Sequence, residues 1–293
     1  LEETFSHPEY LVETEWLAAH LHDVNLRIFD CTAHLLPDPN IRYRVEVGRV
    51  EYDAGHIPGA DFLDFSNELS DPAGDFPLML PPATQFTEVA STHGIYDGAR
   101  VVLYSTENIW WATRVWWMLR AFGFDDAAVL NGGFQKWRRE GRLVSKASPN
   151  YPRSAFHSNP RSGLFVGKRD ILSALDARTT RIVSARSPEQ HHGKEKVPYG
   201  RPGRIPGSVN VPANVLCDLD TNTYLSPQRL RKLFETTGVF NADKVITYCG
   251  LGIAATNTAF VLTLLGVTPE RISVYDASMS EWSRDESLPI EMD

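Results

Sequence analysis

The strongest constraint in this chain is that it repeats itself. "GHIPGA" at 55–60 returns as "GRIPGS" at 203–208, an offset of 203 − 55 = 148. "RVVLYS", ending at Ser105, returns as "KVITYC", ending at Cys249, an offset of 249 − 105 = 144. "AAVLNGGFQKW", ending at Trp137, returns as "ISVYDASMSEW", ending at Trp282, an offset of 282 − 137 = 145. Three landmarks in one order at nearly constant spacing identify a duplicated domain, and 293 residues suffice for two cores.

Each copy reads as the same succession of elements. A short β-rich run, "LRIFDC" (26–31) or "TRIVSA" (180–185), is followed by the I-P-G turn. A helical stretch follows, "ATQFTEVASTHG" or "SPQRLRKLFETTG"; in the latter Ser226 is a natural N-cap, Pro227 suits N1 and Gly238 a stop. A strand, "RVVLY" or "KVITY", then a turn, leads to a helix closed by Gly123 or Gly266. A last strand, "AAVL" or "ISVY", precedes a helix carrying Trp137 or Trp282. Strands alternating with helices predict an α/β fold, each copy a mainly parallel sheet with helices on both faces. The expected division is a first domain over 1–144, a Ser/Pro/Asn-rich linker over 145–163, and a second domain over 164–293.

Bulk properties exclude several classes. A net charge of −8 counts against a nucleic-acid partner. No run approaches the roughly 18 apolar residues of a membrane span. The first twenty residues are acidic and lack a basic start followed by an apolar stretch, so no secretory signal is expected. Three cysteines, Cys31, Cys217 and Cys249, form no C-x-x-C pair, which points to free thiols in a reducing cytoplasm. No Cys/His spacing suits a metal, adjacent His191 and His192 read as solvated, and no glycine pattern suits a nucleotide, so no cofactor is expected.

Cys249 ends a strand and is followed by "GLGIA" at the head of a helix. In a parallel sheet, ligands bind beyond the carboxyl ends of strands. Gly250 and Gly252 let backbone N–H groups converge, with Leu251, Ile253 and Ala254 completing the loop; such a nest ahead of a helix is an anion cradle. A free cysteine has a pKa of about 8.5, and helix N-termini or cations lower it to roughly 3.5–7.5. A two-unit drop corresponds to about 2.7 kcal/mol of preference for the anion. Cys31 and Cys217 lack such a loop and are expected to be packing residues.

The duplication, the I-P-G turns, "RVWWMLRAFGF", "VLNGGFQKW" and "CGLGIA" together resemble a tandem-domain rhodanese over nearly the whole chain. The resemblance implies that only the second copy is catalytic, with Cys249 as nucleophile and Ser105 in the equivalent, inactive place. It further implies a ping-pong reaction: the thiolate takes sulfur from a small anionic donor, thiosulfate or 3-mercaptopyruvate, and the resulting persulfide passes it to cyanide or a thiol. Family members that prefer mercaptopyruvate have Gly, a small hydroxyl residue, then Gly after the cysteine; here Leu251 supplies neither hydroxyl nor cation, and Ala254 replaces a common threonine. Asp64 matches an acid of a proposed relay, while Leu78 stands where its histidine is expected. Gln190 falls near the usual pocket arginine. Within a stretch that also holds Lys194, Lys196 and Arg204, the resemblance leaves Arg186 and Arg201 as candidates for substrate binding.

The tryptophans Trp110, Trp111, Trp116 and Trp117 are expected to pack the core and the domain interface; the alternative is that Trp110 or Trp111 walls the cysteine pocket. Two other functions compete with this one. A cysteine phosphatase needs an arginine six residues after its nucleophile, and Ala255 is there, with Tyr248 rather than histidine before the cysteine. A noncatalytic interaction or sulfur-carrier module on the same fold is the nearer alternative.

Overall fold

The computed structural model describes residues 4–38, 42–197 and 199–293. Its strands are β1 (Leu11–Val12), β2 (Leu26–Asp30), β3 (Ala33–Asp38), β4 (Arg42–Val47), β5 (Ala60–Phe62), β6 (Arg100–Tyr104), β7 (Ala127–Leu130), β8 (Phe165–Val166), β9 (Thr180–Ser184), β10 (Val209–Asn210), β11 (Lys244–Tyr248) and β12 (Ile272–Tyr275). The first copy forms a five-stranded parallel sheet in the order β1-β7-β6-β2-β5. The second repeats it strand for strand as β8-β12-β11-β9-β10. Central strands β6 and β11 are buried along nearly their whole length, which is why "VVLY" and "VITY" read as continuous apolar runs rather than alternating ones. The α/β class and the duplication thus hold.

Local chemistry explains the helix ends. Ser226 Oγ accepts from Arg229 N at 3.4 Å and Pro227 opens that helix, which runs to Phe234. A 3-10 turn then carries the chain to Gly238, in the left-handed region at φ 76°. The helices Trp110–Ala121 and Ala254–Leu264 lie back to back between the two sheets. Thr113 and Thr256 hydroxyls meet at 3.1 Å, and Trp116 meets Phe260 edge-on at 4.9 Å. Covered on every side, the second helix is buried from Ala255 through Leu264, and its polar residues Thr256, Asn257 and Thr263 make hydrogen bonds inside the protein.

Two features were not anticipated. The run after Cys31 enters an antiparallel ribbon, β3 against β4, with Leu35 opposite Val45; its connection at 39–41 lies outside the described residues. Residues 146–161 carry no helix or strand, yet they are strapped to the first copy. Tyr151 hydroxyl donates to Gly59 O at 2.5 Å and accepts from Ile28 N at 3.2 Å, and Phe156 is buried.

Candidate active site

Cys249 sits at the carboxyl end of β11, one residue past Tyr248, and is 5% exposed. The loop that follows is held by its carbonyls. Met279 N donates to Cys249 O at 3.2 Å and Ser280 N to Gly250 O at 2.9 Å. Arg114, from the other domain, donates to Gly252 O at 3.3 Å. Cys249 N itself donates to Ser278 Oγ at 3.0 Å. The N–H groups of Gly250, Leu251, Gly252, Ile253 and Ala254 donate no hydrogen bond among the described residues. With the carbonyls of Cys249, Gly250 and Gly252 occupied, five successive amide donors remain without an acceptor among the described residues, a set suited to an anion.

The glycines have distinct reasons. Gly252 has φ 77°, and a Cβ there would lie 2.1 Å from Asp276 O. Gly250 has no such dihedral; its Cβ would meet the Tyr199 hydroxyl at 2.9 Å. The brace is strained too: Ser278, fully buried, has φ 51°, and its hydroxyl donates to Tyr275 O at 2.8 Å. At the offset of 145, Ser278 stands opposite Gly133, which has φ 54°. The repeat alignment therefore carries a signal for Ser278, a glycine-type backbone position in the first copy.

The cysteine opens into a cleft of about 430 Å³ between the domains. From the second domain come Cys249, Gly250, Leu251, Ile253, Ala254 and Arg186. From the first come Leu35, Asn108, Trp110 and Trp111, so both tryptophans of the alternative reading reach the cleft. Trp116 and Trp117 are core residues. Tyr199, Asn214 and Leu35 also line the cleft, and nothing in their own sequence neighbourhoods marked them.

The two candidate arginines part company. Arg186 lines the cleft, is 3% exposed, and donates through Nη1 to Gly203 O at 2.6 Å; its buried Nε and Nη2 have no hydrogen-bond partner among the described residues. Arg201 does not line the cleft. Its Nε donates to Ser283 O at 3.2 Å, and its Nη2 donates to Asp285 O at 2.5 Å and Leu288 O at 3.0 Å, so it clamps the C-terminal segment. Gln190 does line the cleft, with its amide donating to Glu195 at 3.3 Å. Lys194 and Lys196 are exposed outside the cleft, and Arg204 is paired with Glu291 and Asp293 at 2.6 Å each.

Asp64 is elsewhere. Its carboxylate accepts from Ser66 N and Asn67 N, both at 2.9 Å, in a separate hollow shared with His93. Leu78, at φ 64°, offers its carbonyl to Arg114. His191 corrects the expectation of solvation: it is buried, Nδ1 has no hydrogen-bond partner among the described residues, and burial with Arg204, His192 and Arg186 nearby pushes its pKa down to about 4. Burial pushes the Cys31 thiol up beyond the usual range, with Asp30 adding to it. Burial, then Asp218, pushes Cys217 up to about 12. Among the described residues there is no group of three or more metal-ligating side chains, and no helix is long and apolar enough to cross a membrane.

A sequence profile described as the rhodanese-like domain matches the chain twice, over residues 13–140 and 168–285. The chain belongs to the rhodanese family. Among relatives of this rhodanese, the sulfur carrier protein TtuD of Thermus thermophilus is 30% identical over 299 residues, covering 98% of each chain. The 3-mercaptopyruvate sulfurtransferase of Escherichia coli K12 is 31% identical over 284 residues, covering 96% of this chain and 98% of its own. The crystal structure of SseA from Escherichia coli, described as a 3-mercaptopyruvate sulfotransferase of rhodanese fold, superposes with a TM-score of 0.80 at 28% identity, covering 92% of this chain and 98% of that one.

Proposed function

We propose that this rhodanese is a sulfurtransferase that carries sulfane sulfur on Cys249. The observation that supports this most is the loop of five unpartnered amides following the cysteine, with its carbonyls tied behind it. Cys249 thiolate attacks the outer sulfur of thiosulfate, releasing sulfite, or the thiol sulfur of 3-mercaptopyruvate, releasing pyruvate once its enolate is protonated. The product is a Cys249 persulfide. Cyanide or a thiolate then attacks the outer sulfur and frees the original thiolate. One donor set serves thiolate, persulfide and the charge passing between them, so neither half-reaction requires the donors to be rearranged.

The reading relies on backbone donors. Asp64 lies in another hollow and Leu78 carries no ionisable group, so the relay suggested by resemblance has no members here. Arg186 is the proposed anchor for a donor's charged end, and the first domain contributes cleft walls in place of a second nucleophile.

Intact mass after incubation with thiosulfate or 3-mercaptopyruvate tests the proposal. The expected result is one added sulfur atom, absent in Cys249→Ser and removed by cyanide. No adduct from either donor would defeat it. Comparing kcat/KM for the two donors assigns the preference, and a stable adduct without turnover would favour a carrier role.

A further inference from the structure

Sulfur loading from the two donors differs by one proton. With thiosulfate, the departing sulfite carries off its electron pair as a stable anion. With 3-mercaptopyruvate, the carbon–sulfur bond breaks and its electron pair passes into the enolate of pyruvate, a strong base that must take a proton. An acid already in place for such a step is worth roughly 10²–10⁴-fold in rate.

Few groups around the cleft can give that proton. Among its described lining residues there is no Asp, Glu, His or Lys. The loop after Cys249 reads Gly, Leu, Gly, Ile, Ala and holds no protic side chain. Arg186 keeps its proton at any ordinary pH, and the side-chain N–H groups of Asn108, Gln190, Asn214 and Trp110 are hydrogen-bond donors rather than usable acids. Two hydroxyls remain, those of Ser187 and Tyr199. Ser187 is committed to its helix: Oγ accepts from Gln190 N at 3.2 Å and donates to Glu195 Oε2 at 3.4 Å. An aliphatic alcohol is also a far weaker acid than a phenol.

Tyr199 is 8% exposed and presents the phenol end of its ring to the loop. From the place a Cβ would take on Gly250, Oη is 2.9 Å away, Cε1 3.0 Å and Cζ 3.1 Å. Gly250 follows Cys249 directly, and its missing side chain is what admits the hydroxyl this close to the reacting residue. The backbone behind the ring is fixed: Tyr199 O accepts from Ser283 Oγ at 3.3 Å and from Arg284 Nε at 3.2 Å. A tyrosine ordinarily holds its proton up to about pH 10, and an enolate is a stronger base than a phenolate, so the transfer runs downhill.

We propose that Tyr199 is a catalytic residue of sulfur loading from 3-mercaptopyruvate, the acid that protonates the departing enolate. The proposal rests on the sulfur-transfer reading. Cys249 thiolate bonds to the donor's sulfur as the carbon–sulfur bond breaks; the electron pair moves into the enolate, whose C3 takes the Tyr199 hydroxyl proton to give pyruvate. The Cys249 persulfide still bears the donor's thiol proton and passes it to the phenolate. Tyr199 is restored, the persulfide is left as an anion against the loop amides, and atoms and charge balance with no further reactant.

The test follows persulfide formation by intact mass in the full-length protein, with each donor separately, for wild type, Tyr199→Phe and Ser187→Ala. Every loading rate is divided by the rate at which iodoacetamide alkylates Cys249 in the same variant, a reaction that needs the same thiolate and no proton donor. In Tyr199→Phe, which keeps the ring, the normalised rate with 3-mercaptopyruvate should fall about 100-fold, the low end for a lost general acid. The normalised rate with thiosulfate should not fall in step, because sulfite needs no proton to leave. An unchanged rate with 3-mercaptopyruvate overturns the proposal, and so does an equal fall with both donors, which is what a merely structural hydroxyl would produce. A selective loss in Ser187→Ala in place of Tyr199→Phe assigns the proton to the other hydroxyl. If wild type loads from thiosulfate but not from 3-mercaptopyruvate, Tyr199 has no such role while the transferase reading stands. If no persulfide forms with either donor, both fall.

Discussion

Arg114 Nη2 donates to Asp276 Oδ1 at 2.6 Å across the boundary between the two domains, with side-chain exposures of 0% and 8%. The same guanidinium holds Gly252 O at 3.3 Å and Leu78 O at 2.8 Å, and the other oxygen of Asp276 accepts from Leu80 N at 2.8 Å. One buried ion pair thus binds the loop after Cys249, the turn after β12 and the 78–80 segment of the first domain. The first copy has a direct hold on the candidate site.

Breaking that pair from one side should be severe. Arg114→Met leaves Asp276 buried without its cation, a loss of about 3–5 kcal/mol. The double variant Arg114→Met/Asp276→Leu should recover much of that stability in denaturant titration. It should not recover persulfide formation, because Gly252 O still lacks its donor. The pH profile of Cys249 alkylation separates the two effects: a profile shared by wild type and double variant would refute any positioning role for Arg114.

Gly252→Ala should stop sulfur loading. The φ of 77° is unfavourable for alanine, and the new methyl would sit 2.1 Å from Asp276 O, so the loop must shift. The backbone strain alone is about 1–3 kcal/mol. Gly250→Ala meets a side chain, the Tyr199 hydroxyl at 2.9 Å, and should retain more activity. Initial rates of persulfide formation rank the two.

Ser105→Cys should not create a second sulfur carrier. Ser105 Oγ donates to Asn108 O at 2.5 Å, and the residues after it, Thr106 to Ile109, include no glycine. In Cys249→Ser/Ser105→Cys, mass spectrometry should show no added sulfur.

Two histidines should narrow the pH range of stability from opposite sides. Burial opposes charge on His93, but Asp61 at 2.7 Å and Glu68 raise its pKa from 6.5 to about 9. Its contribution is fully present below pH 6.5 and is lost as pH rises toward about 9. His191 is lowered from 6.5 to about 4, so its contribution is present above pH 6.5 and is lost as pH falls toward 4. With the partly exposed carboxylates screened, the His93 share is about 1–2 kcal/mol. Denaturant midpoints across pH 4–10 should fall on both sides. His93→Gln should flatten the alkaline limb alone.

How much was legible differs by element. The duplicated α/β architecture, its buried central strands, Cys249 and its glycine loop were all readable, because each rests on residues adjacent in the chain. The short edge strands β1, β5, β8 and β10 were not, since two or three residues carry no periodicity. Arg201 was a plausible anion ligand by position, but the C-terminal segment folds over it and consumes its donors with carbonyls.

By itself the sequence determined what is local: two copies of one fold, and a cysteine at the end of the central strand in only one of them. Tertiary structure decided what surrounds that cysteine, because a cleft wall gathers Leu35, Trp110, Arg186 and Asn214 from distant stretches of chain. The same holds for Arg114. A lone arginine among tryptophans in "IWWATRVWWML" is conspicuous. Only packing the two helices back to back, with Asp276 within reach, reveals what its charge is for.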